Sequence, residues 1–273
     1  MVLACMVLSA AGMQDHHFHW GYILNCAAVL AKADPAWGQQ YKPPLLDLIR
    51  DIGNPIKDSH FPLHRYLDMW AGHSWASGIG PGPKNQESSS EAVNAYYGMA
   101  LLGDALGDEQ LRDLGRVFLQ VEIEGAKWYW HMSSARPQVY PTPSTFADTK
   151  CVGRRFADGA DRGTFFGTAP QEVDLIQMLP FSPVSEVLLS PDWVAQQWPV
   201  LARTRSDGWN DLVAANQAIV EPAQAWAAAL NCSAHNCWSS GTTLADTLYW
   251  IASRPANTGT PLQLPRRLTR GHD

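Results

Sequence analysis

The sequence predicts a mainly helical protein that carries its functional residues on the loops between helices. Three observations support this fold class. Apolar residues recur at helical spacing in several long segments, strands and helices do not alternate along the chain, and the intervening stretches are rich in proline and glycine. Loops held by a rigid scaffold are where binding and catalytic residues concentrate.

In the first half of the chain the helices are predicted in pairs, separated by a loop over 58–84 that is rich in His, Trp, Gly and Pro. Proline near the start and Gly-Asn-Pro at the end delimit the second helix, and Gly107 ends the third. The predicted helices are 17–34, 42–55, 88–107 and 108–132.

The second half begins with a segment, 133–170, in which many Pro, Gly and Thr residues predict loop with short strands. Further helices are predicted near 171–179, 191–204, 209–230 and 243–254. The helices come as hairpins, but the sequence has no fixed-period repeat of the solenoid kind.

Composition and charge exclude several classes of partner. The net charge is −6, and the only cluster of Lys and Arg lies in LPRRLTRGHD at the end of the chain, so a nucleic acid would be repelled. The apolar start, MVLACMVLSAAGM, lacks a basic region and is too short to span a bilayer, so no membrane partner is predicted. The sequence gives no cellular location or oligomeric state.

Tryptophan and cysteine have unusual counts. Twelve tryptophans fit either core packing or flat surfaces on which sugar rings stack. The five cysteines form no CxxC pair and no zinc spacing, although Cys232 and Cys237 are close enough to bridge a loop.

The segment KNQESSSEAVN, 84–94, places Glu87 and Glu91 four residues apart at the start of a predicted helix. One interpretation is structural, because Ser88 and Glu91 match a capping box. The other is catalytic, because two carboxyls on one face near the positive end of a helix can serve as a base and its orienting partner. The burial of the two glutamates would separate these interpretations.

The segment DHHFHWGY, 15–22, holds Asp15, His17 and His19 within five positions. Asp15 could cap a helix, the histidines could bind a metal, or Asp15 could be an acid that burial keeps protonated, with His19 one turn away. No HExxH motif or distant Cys/His set completes a metal site, and no GxGxxG or P-loop is present, so neither metal nor cofactor is predicted.

The segment AGHSWASG adds His73 and Trp75 between small residues that would let a ligand approach. A lone histidine is more often a core residue than a ligand contact.

The chain also contains, in this order, DHHFHWGY, AGHSWASG, KNQESSSEAVNAYYGMALLG, EIEGAKWYWHM, FFGTAP, IQMLPFSPVSE and LYWIASRP. In these motifs it resembles the catalytic region of glycoside hydrolase family 81, the endo-1,3-β-glucanases, over residues 15–255. The resemblance implies an (α/α)6 barrel of helical hairpins with an open cleft. It also implies hydrolysis of internal 1,3-β-glucosidic bonds in laminarin, callose or cell-wall glucan, with inversion, without a metal, and in a secreted or cell-wall-associated enzyme.

By position, the resemblance implies that Asp15 is the general acid, with His19 beside it. Glu87 and Glu91 match the two essential glutamates, and we assign Glu91 as the base and Glu87 as its support. The residues expected to contact sugar are His73, Trp75, Asn85, Gln86 and Asn94.

The chain departs from the family pattern in its organisation. We expect a non-matching leader over 1–14, a catalytic domain over 15–255 and a tail over 256–273. The domain would be an incomplete barrel, since the family carries a β-sandwich domain and further barrel helices upstream. Val173 and Asp174 replace an expected isoleucine and histidine. The alternatives are a glucan-binding or regulatory remnant without turnover, and an enzyme acting on another polysaccharide.

Overall fold

The computed structural model describes residues 14–140, 145–203, 209–235 and 242–254, and it is mainly helical, as predicted. The helices are α1 His16–Ala33, α2 Pro35–Gly53, α3 Ser89–Leu106, α4 Glu109–Tyr129, α5 Thr145–Thr149, α6 Pro170–Leu175, α7 Ser185–Leu188, α8 Pro191–Leu201, α9 Asn210–Gln217, α10 Pro222–His235 and α11 Leu244–Ala252. The strands are β1 Leu67–Asp68, β2 His73–Ser74, β3 Asn85–Gln86, β4 Arg154–Phe156 and β5 Gly159–Asp161.

Helix α2 begins seven residues earlier than predicted. Asp34 caps it by accepting a hydrogen bond from the Trp37 backbone N–H at 3.1 Å, and Pro35 occupies the first turn, where its missing N–H costs nothing. Pro43 and Pro44 therefore lie inside the helix, where prolines normally interrupt it. The apolar face that follows them is buried in the core, and this packing outweighs the local cost.

Helices α3 and α4 follow the sequence prediction closely. The Ser88 hydroxyl caps α3, Gly107 ends it in the left-handed conformation with φ 67°, and Asp108 caps α4.

Helices α1 and α3 run in the same direction and pack closely. Gly21 faces Ala95, and one turn further on Asn25 faces Gly98. A Cβ atom placed on Gly21 would lie 2.8 Å from the Ala95 Cα. Because the packing is parallel, the N-termini of the two helices meet at one end of the array.

The second half differs from its prediction in four places. The helix predicted at 209–230 is two helices, α9 and α10, because the chain turns after Gln217 and Pro222 begins a new helix. The helix predicted at 171–179 ends at Leu175. Helices α5 and α7 were not predicted, since five and four residues are too few to display a helical period.

Two small antiparallel sheets lie in the loops. Strand β1 pairs with β2, and β3, β4 and β5 form a sheet in that order. Strands β4 and β5 confirm the short strands expected in 133–170. Strand β3 brings the segment before α3 next to β4, so residues about 70 positions apart meet at the same end of the helices.

The core has three main parts: one among α1–α4, one between α3–α4 and α6–α8, and one among α9–α11. Trp130 and Trp193 are wholly buried, whereas Trp70 is fully exposed. Cys232 is disulfide-bonded, and Cys237 lies outside the described residues. Within the described ranges no helix is long and apolar enough to cross a membrane.

Candidate active site

A cleft of about 470 Å³ opens where the N-termini of α1 and α3 meet. It brings together all four side chains that the sequence indicated as catalytic, Asp15, His19, Glu87 and Glu91, and one expected sugar contact, Asn85. The remaining lining residues are Gln14, Phe18, Ala76, Ser88 and Phe165.

Asp15 stands at the start of α1 in a left-handed backbone conformation, with φ 61°. Its backbone N–H donates to the Ala76 carbonyl at 2.9 Å, and its carboxyl makes no capping hydrogen bond. Non-glycine residues adopt this conformation at a cost, and it often marks a functional position. The carboxyl is thus directed to the cleft, where burial raises its pKa.

Glu91 lies in the first turn of α3. Its backbone N–H donates to the Ser88 hydroxyl at 3.3 Å, which is the serine half of the predicted capping box. The Glu91 carboxyl accepts a hydrogen bond from the Tyr22 hydroxyl at 3.0 Å. Burial raises the pKa of Glu91 to about 7, against the lowering effect of its hydrogen bonds with Ser88 and Tyr22.

Glu87 lies between β3 and α3, and its carboxyl accepts a hydrogen bond from the Phe165 backbone N–H at 2.5 Å. Burial raises the pKa of Glu87, while this N–H and the nearby Arg154 guanidinium lower it. Glu87 is the less deeply buried of the two glutamates, and it is the one with a positive charge, that of Arg154, beside its carboxyl.

The three carboxyls also act on one another. The negative charge of Asp15 raises the pKa of both glutamates, and that of Glu87 raises the pKa of Glu91. Such a cluster does not ionise all at once, so protonated and ionised carboxyls coexist near neutral pH. Burial lowers the pKa of His19, which favours its neutral form. The arrangement can donate a proton on one side of a ligand and accept one on another.

The structure places four of the five expected sugar contacts in the interior, which corrects the sequence interpretation of those residues. His73, Trp75, Gln86 and Asn94 are each at most 4% exposed, and only Asn85 reaches the cleft.

The interior contacts of these residues explain their burial. His73 packs edge-on against Trp75 with ring centroids 4.4 Å apart. The Gln86 amide nitrogen lies 3.4 Å from His17 Nε2, and the Asn94 side chain accepts from Asn25 at 3.1 Å.

Two residues that donate hydrogen bonds to the cleft glutamates were not predicted from the sequence, Tyr22 and Phe165. Tyr22 could have been found, because it stands seven residues after Asp15 and therefore on the same face of α1. Phe165 carried no such signal, since it reaches Glu87 only through the folding of a loop 78 positions away in sequence. Across the described residues, no group of three or more His, Cys, Asp or Glu side chains is arranged to hold a metal ion.

Comparison with known proteins gives a consistent result. Residues 9–250 match the family model described as the glycosyl hydrolase family 81 C-terminal domain. A glucan endo-1,3-β-D-glucosidase of Glycine max is 36% identical over 88% of this chain, and the primary septum glucan endo-1,3-β-D-glucosidase of Schizosaccharomyces pombe is 34% identical over 78%. The chain spans 37% and 21% of these two relatives.

A solved structure of a glycoside hydrolase family 81 protein from Clostridium thermocellum, in a mutant form, also matches. It superposes with a TM-score of 0.75 and 28% identity, and the match covers 92% of this chain and 36% of that one.

Proposed function

The chain belongs to glycosyl hydrolase family 81, and on this premise we propose that it hydrolyses internal 1,3-β-glucosidic bonds of β-1,3-glucans. The observation that carries the proposal is the convergence of three carboxyls, Asp15, Glu87 and Glu91, in one cleft. Glycoside hydrolysis needs a carboxylic acid and a carboxylate on opposite sides of the scissile bond. The relatives named above as glucan endo-1,3-β-D-glucosidases support this linkage as the one cleaved.

The proposed mechanism is inverting. Asp15, whose burial favours its protonated form, would donate its proton to the leaving glycosidic oxygen. A carboxylate from the glutamate pair would take a proton from water on the opposite face of the sugar. Inversion requires the two carboxyls to be separated by about 6.5–9.5 Å, which leaves room for that water. Asp15 and the glutamates come from different segments of the chain, which suits such a separation.

The surroundings of the two glutamates favour Glu87 as the base, whereas our assignment from the sequence gave that role to Glu91. The Phe165 N–H and Arg154 stabilise the Glu87 anion. Glu91 is more deeply buried and keeps its proton below about pH 7, so it can donate a hydrogen bond to the water or to the sugar. His19 would remain neutral beside Asp15.

The test is hydrolysis of laminarin by the purified chain. We expect Asp15→Asn and Glu87→Gln each to lower kcat by about 10²- to 10⁴-fold, the usual contribution of a general acid or base. Proton NMR of early product should show the anomer opposite to that of the substrate. The matched control is Glu109→Gln, which changes an exposed glutamate at the start of α4 and should leave the rate unchanged.

Full activity in both Asp15→Asn and Glu87→Gln would contradict the proposed roles of Asp15 as acid and Glu87 as base. Laminarin binding without released oligosaccharide would favour the glucan-binding alternative.

A further inference from the structure

We propose that Phe165 is a stacking platform for a glucosyl ring beside Glu87, and that it makes sugar binding and base positioning depend on the same loop. This inference rests on the proposed function. It concerns a residue that the motif FFGTAP contains but to which the sequence analysis gave no role.

The loop holds Phe165 in a closed turn. The Thr164 backbone N–H donates to the Gly167 carbonyl at 2.8 Å, and the Gly167 N–H donates to the Thr164 hydroxyl at 2.8 Å. Phe165 and Phe166 are the two central residues of this turn. The Glu172 carboxyl lies against Gly167 and accepts from the Ala169 N–H at 2.9 Å, so the turn is next to the start of α6. The backbone under the two rings is therefore fixed.

The Phe165 ring is held on one side and open on the other. The Arg154 guanidinium lies 4.7 Å from the ring centroid, and Asp161 holds Arg154 by an ion pair of 2.6 Å. Phe156 meets the ring edge-on at 6.4 Å. The residue is nevertheless 58% exposed, and it lines the cleft. An oriented aromatic face with solvent on it is a surface that a ligand can cover at little entropic cost.

The chemistry of the cleft indicates what covers this face. A glucosyl ring presents apolar C–H groups on its face and hydroxyls at its rim. Phe165 offers a flat apolar surface, and Glu87 and Asn85 in the same cleft offer polar partners for the rim. A purely apolar ligand would leave these polar groups without partners, which is costly.

The same residue also fixes the proposed base, because the Phe165 N–H donates to the Glu87 carboxyl at 2.5 Å. A sugar stacked on the ring is thus placed by the loop that orients the carboxylate. Substrate position and base position are set by one element.

Phe166 provides a matched control within the same turn. It is 52% exposed, close to the exposure of Phe165, but it does not line the cleft. Its ring instead lies parallel to Trp209, with centroids 6.2 Å apart.

The experiment is calorimetric binding of laminarihexaose to variants built on Asp15→Asn, so that no turnover interferes. We expect Phe165→Ala to weaken binding by about tenfold, a typical loss for one aromatic contact. Phe165→Leu, which keeps an apolar side chain and the backbone N–H but has no flat face, should lose a similar factor. Phe165→Trp should restore binding, and Phe166→Ala should change it by less than twofold. Since Phe165 is exposed, circular dichroism should report an unchanged fold in every variant.

Two results would overturn the inference while leaving the proposed function standing. One is binding by Phe165→Ala and Phe165→Leu as tight as that of the Asp15→Asn parent. The other is an equal loss in Phe166→Ala. Absence of laminarihexaose binding in the Asp15→Asn parent would overturn the proposed function itself.

Discussion

Asp15, His19 and Tyr22 form one stripe on α1, because spacings of four and seven residues return to the same side of a helix. The stripe faces the start of α3, and its last member donates from the Tyr22 hydroxyl to Glu91 Oε1 at 3.0 Å. One helix therefore supplies the proposed acid and also sets the proton affinity of a glutamate on its neighbour. Tyr22 acts here as a positioning residue for Glu91.

Tyr22→Phe tests the protonation state in which Glu91 works. A donor to a carboxylate favours the charged form, so removing the hydroxyl should raise the pKa of Glu91 above its value of about 7. If Glu91 acts with its proton on, as we propose, activity should persist to higher pH. We expect the alkaline limb of the kcat profile on laminarin to move up by about half to one pH unit.

A shift of the acidic limb of the kcat profile would instead mean that Glu91 acts as an anion. Glu91 would then be the base. Tyr41→Phe is the control, because Tyr41 is a similarly exposed tyrosine on α2 that packs against Trp37. That change should leave both limbs in place.

Which residues reach the cleft could be predicted from sequence only in part. The types and spacing of Asp15, Glu87 and Glu91 left structural and catalytic interpretations open, the resemblance to the family implied the catalytic one, and the structure brings the three carboxyls into one cleft. The burial of His73 and Gln86 could not be predicted, since a polar side chain near a motif looks the same whether it lines a wall or supports it from behind. Their distant partners, Trp130 for His73 and His17 for Gln86, are set by tertiary packing.

At the scale of elements, the site depends on how closely α1 and α3 approach each other. Gly21 meets Ala95, and Gly98 meets Leu24 and Asn25, with no room for a Cβ atom on either glycine. These contacts occur about one to two turns from the carboxyls. The separation of the two helices therefore fixes the distance between Asp15 and the glutamates.

Gly21→Ala should push the two helices apart. Alanine favours a helix over glycine by about 1 kcal/mol. The new Cβ would, however, lie 2.8 Å from the Ala95 Cα and 3.0 Å from its backbone nitrogen, and neither atom can rotate away. Overpacking of this kind costs about 1–3 kcal/mol, so we expect a net loss in the free energy of unfolding, measured in urea, together with a lower kcat.

Gly80→Ala is the matched control, because no atom lies within 4 Å of the added Cβ at that position. Stability and kcat should both be unaffected there. A stable, fully active Gly21→Ala variant would show that the helix pair tolerates a wider spacing.

Element boundaries were predictable where a local signal decides them. Ser88, Gly107 and Asp108 delimit α3 and α4 in the structure, and each is a standard cap residue. The start of α2 was missed because the pair Pro43–Pro44 predicts a helix start, whereas tertiary packing keeps both prolines inside a longer helix. Closure into an (α/α)6 barrel remains a prediction.

For the whole molecule, buried carboxyls and buried histidines have opposite effects on the pH dependence of folding stability. Burial raises the pKa values of Glu91 and Asp174 to about 7 and that of Glu122 to about 8. Burial also lowers the pKa values of three histidines, to about 3 for His17 and His131 and to about 4 for His73. Each group makes stability depend on pH between its unfolded and folded pKa values.

These pKa directions place the maximum in the free energy of unfolding between about pH 4.5 and 6.5. In that range the unfolded chain binds more protons on its histidines, and fewer on its carboxyls, than the folded chain does. The two effects on stability therefore largely offset each other. Below it, unfolded histidines still bind protons that the folded ones do not, and stability falls. Above about pH 6.5 the histidines are neutral in both states. The buried carboxyls then hold protons that the unfolded chain has lost, and stability falls as pH rises towards 8.

We therefore expect the free energy of unfolding in urea to be lower at pH 8 than at pH 6, by on the order of 2 kcal/mol. Glu122→Gln should remove most of this difference, because the amide mimics the neutral carboxyl and still accepts from the Ser74 N–H and hydroxyl. Glu109→Gln, on an exposed helix end, should leave the difference unchanged. Stability that rises from pH 6 to pH 8 would contradict the pKa directions given above.

The contact between Glu87 and Phe165 joins segments 78 positions apart, and a single hydrogen bond secures it. Under the proposed function, loss of this hydrogen bond would leave every described helix in place while withdrawing the Phe165 N–H from the proposed base, so laminarin hydrolysis would fall without a change in the circular dichroism spectrum.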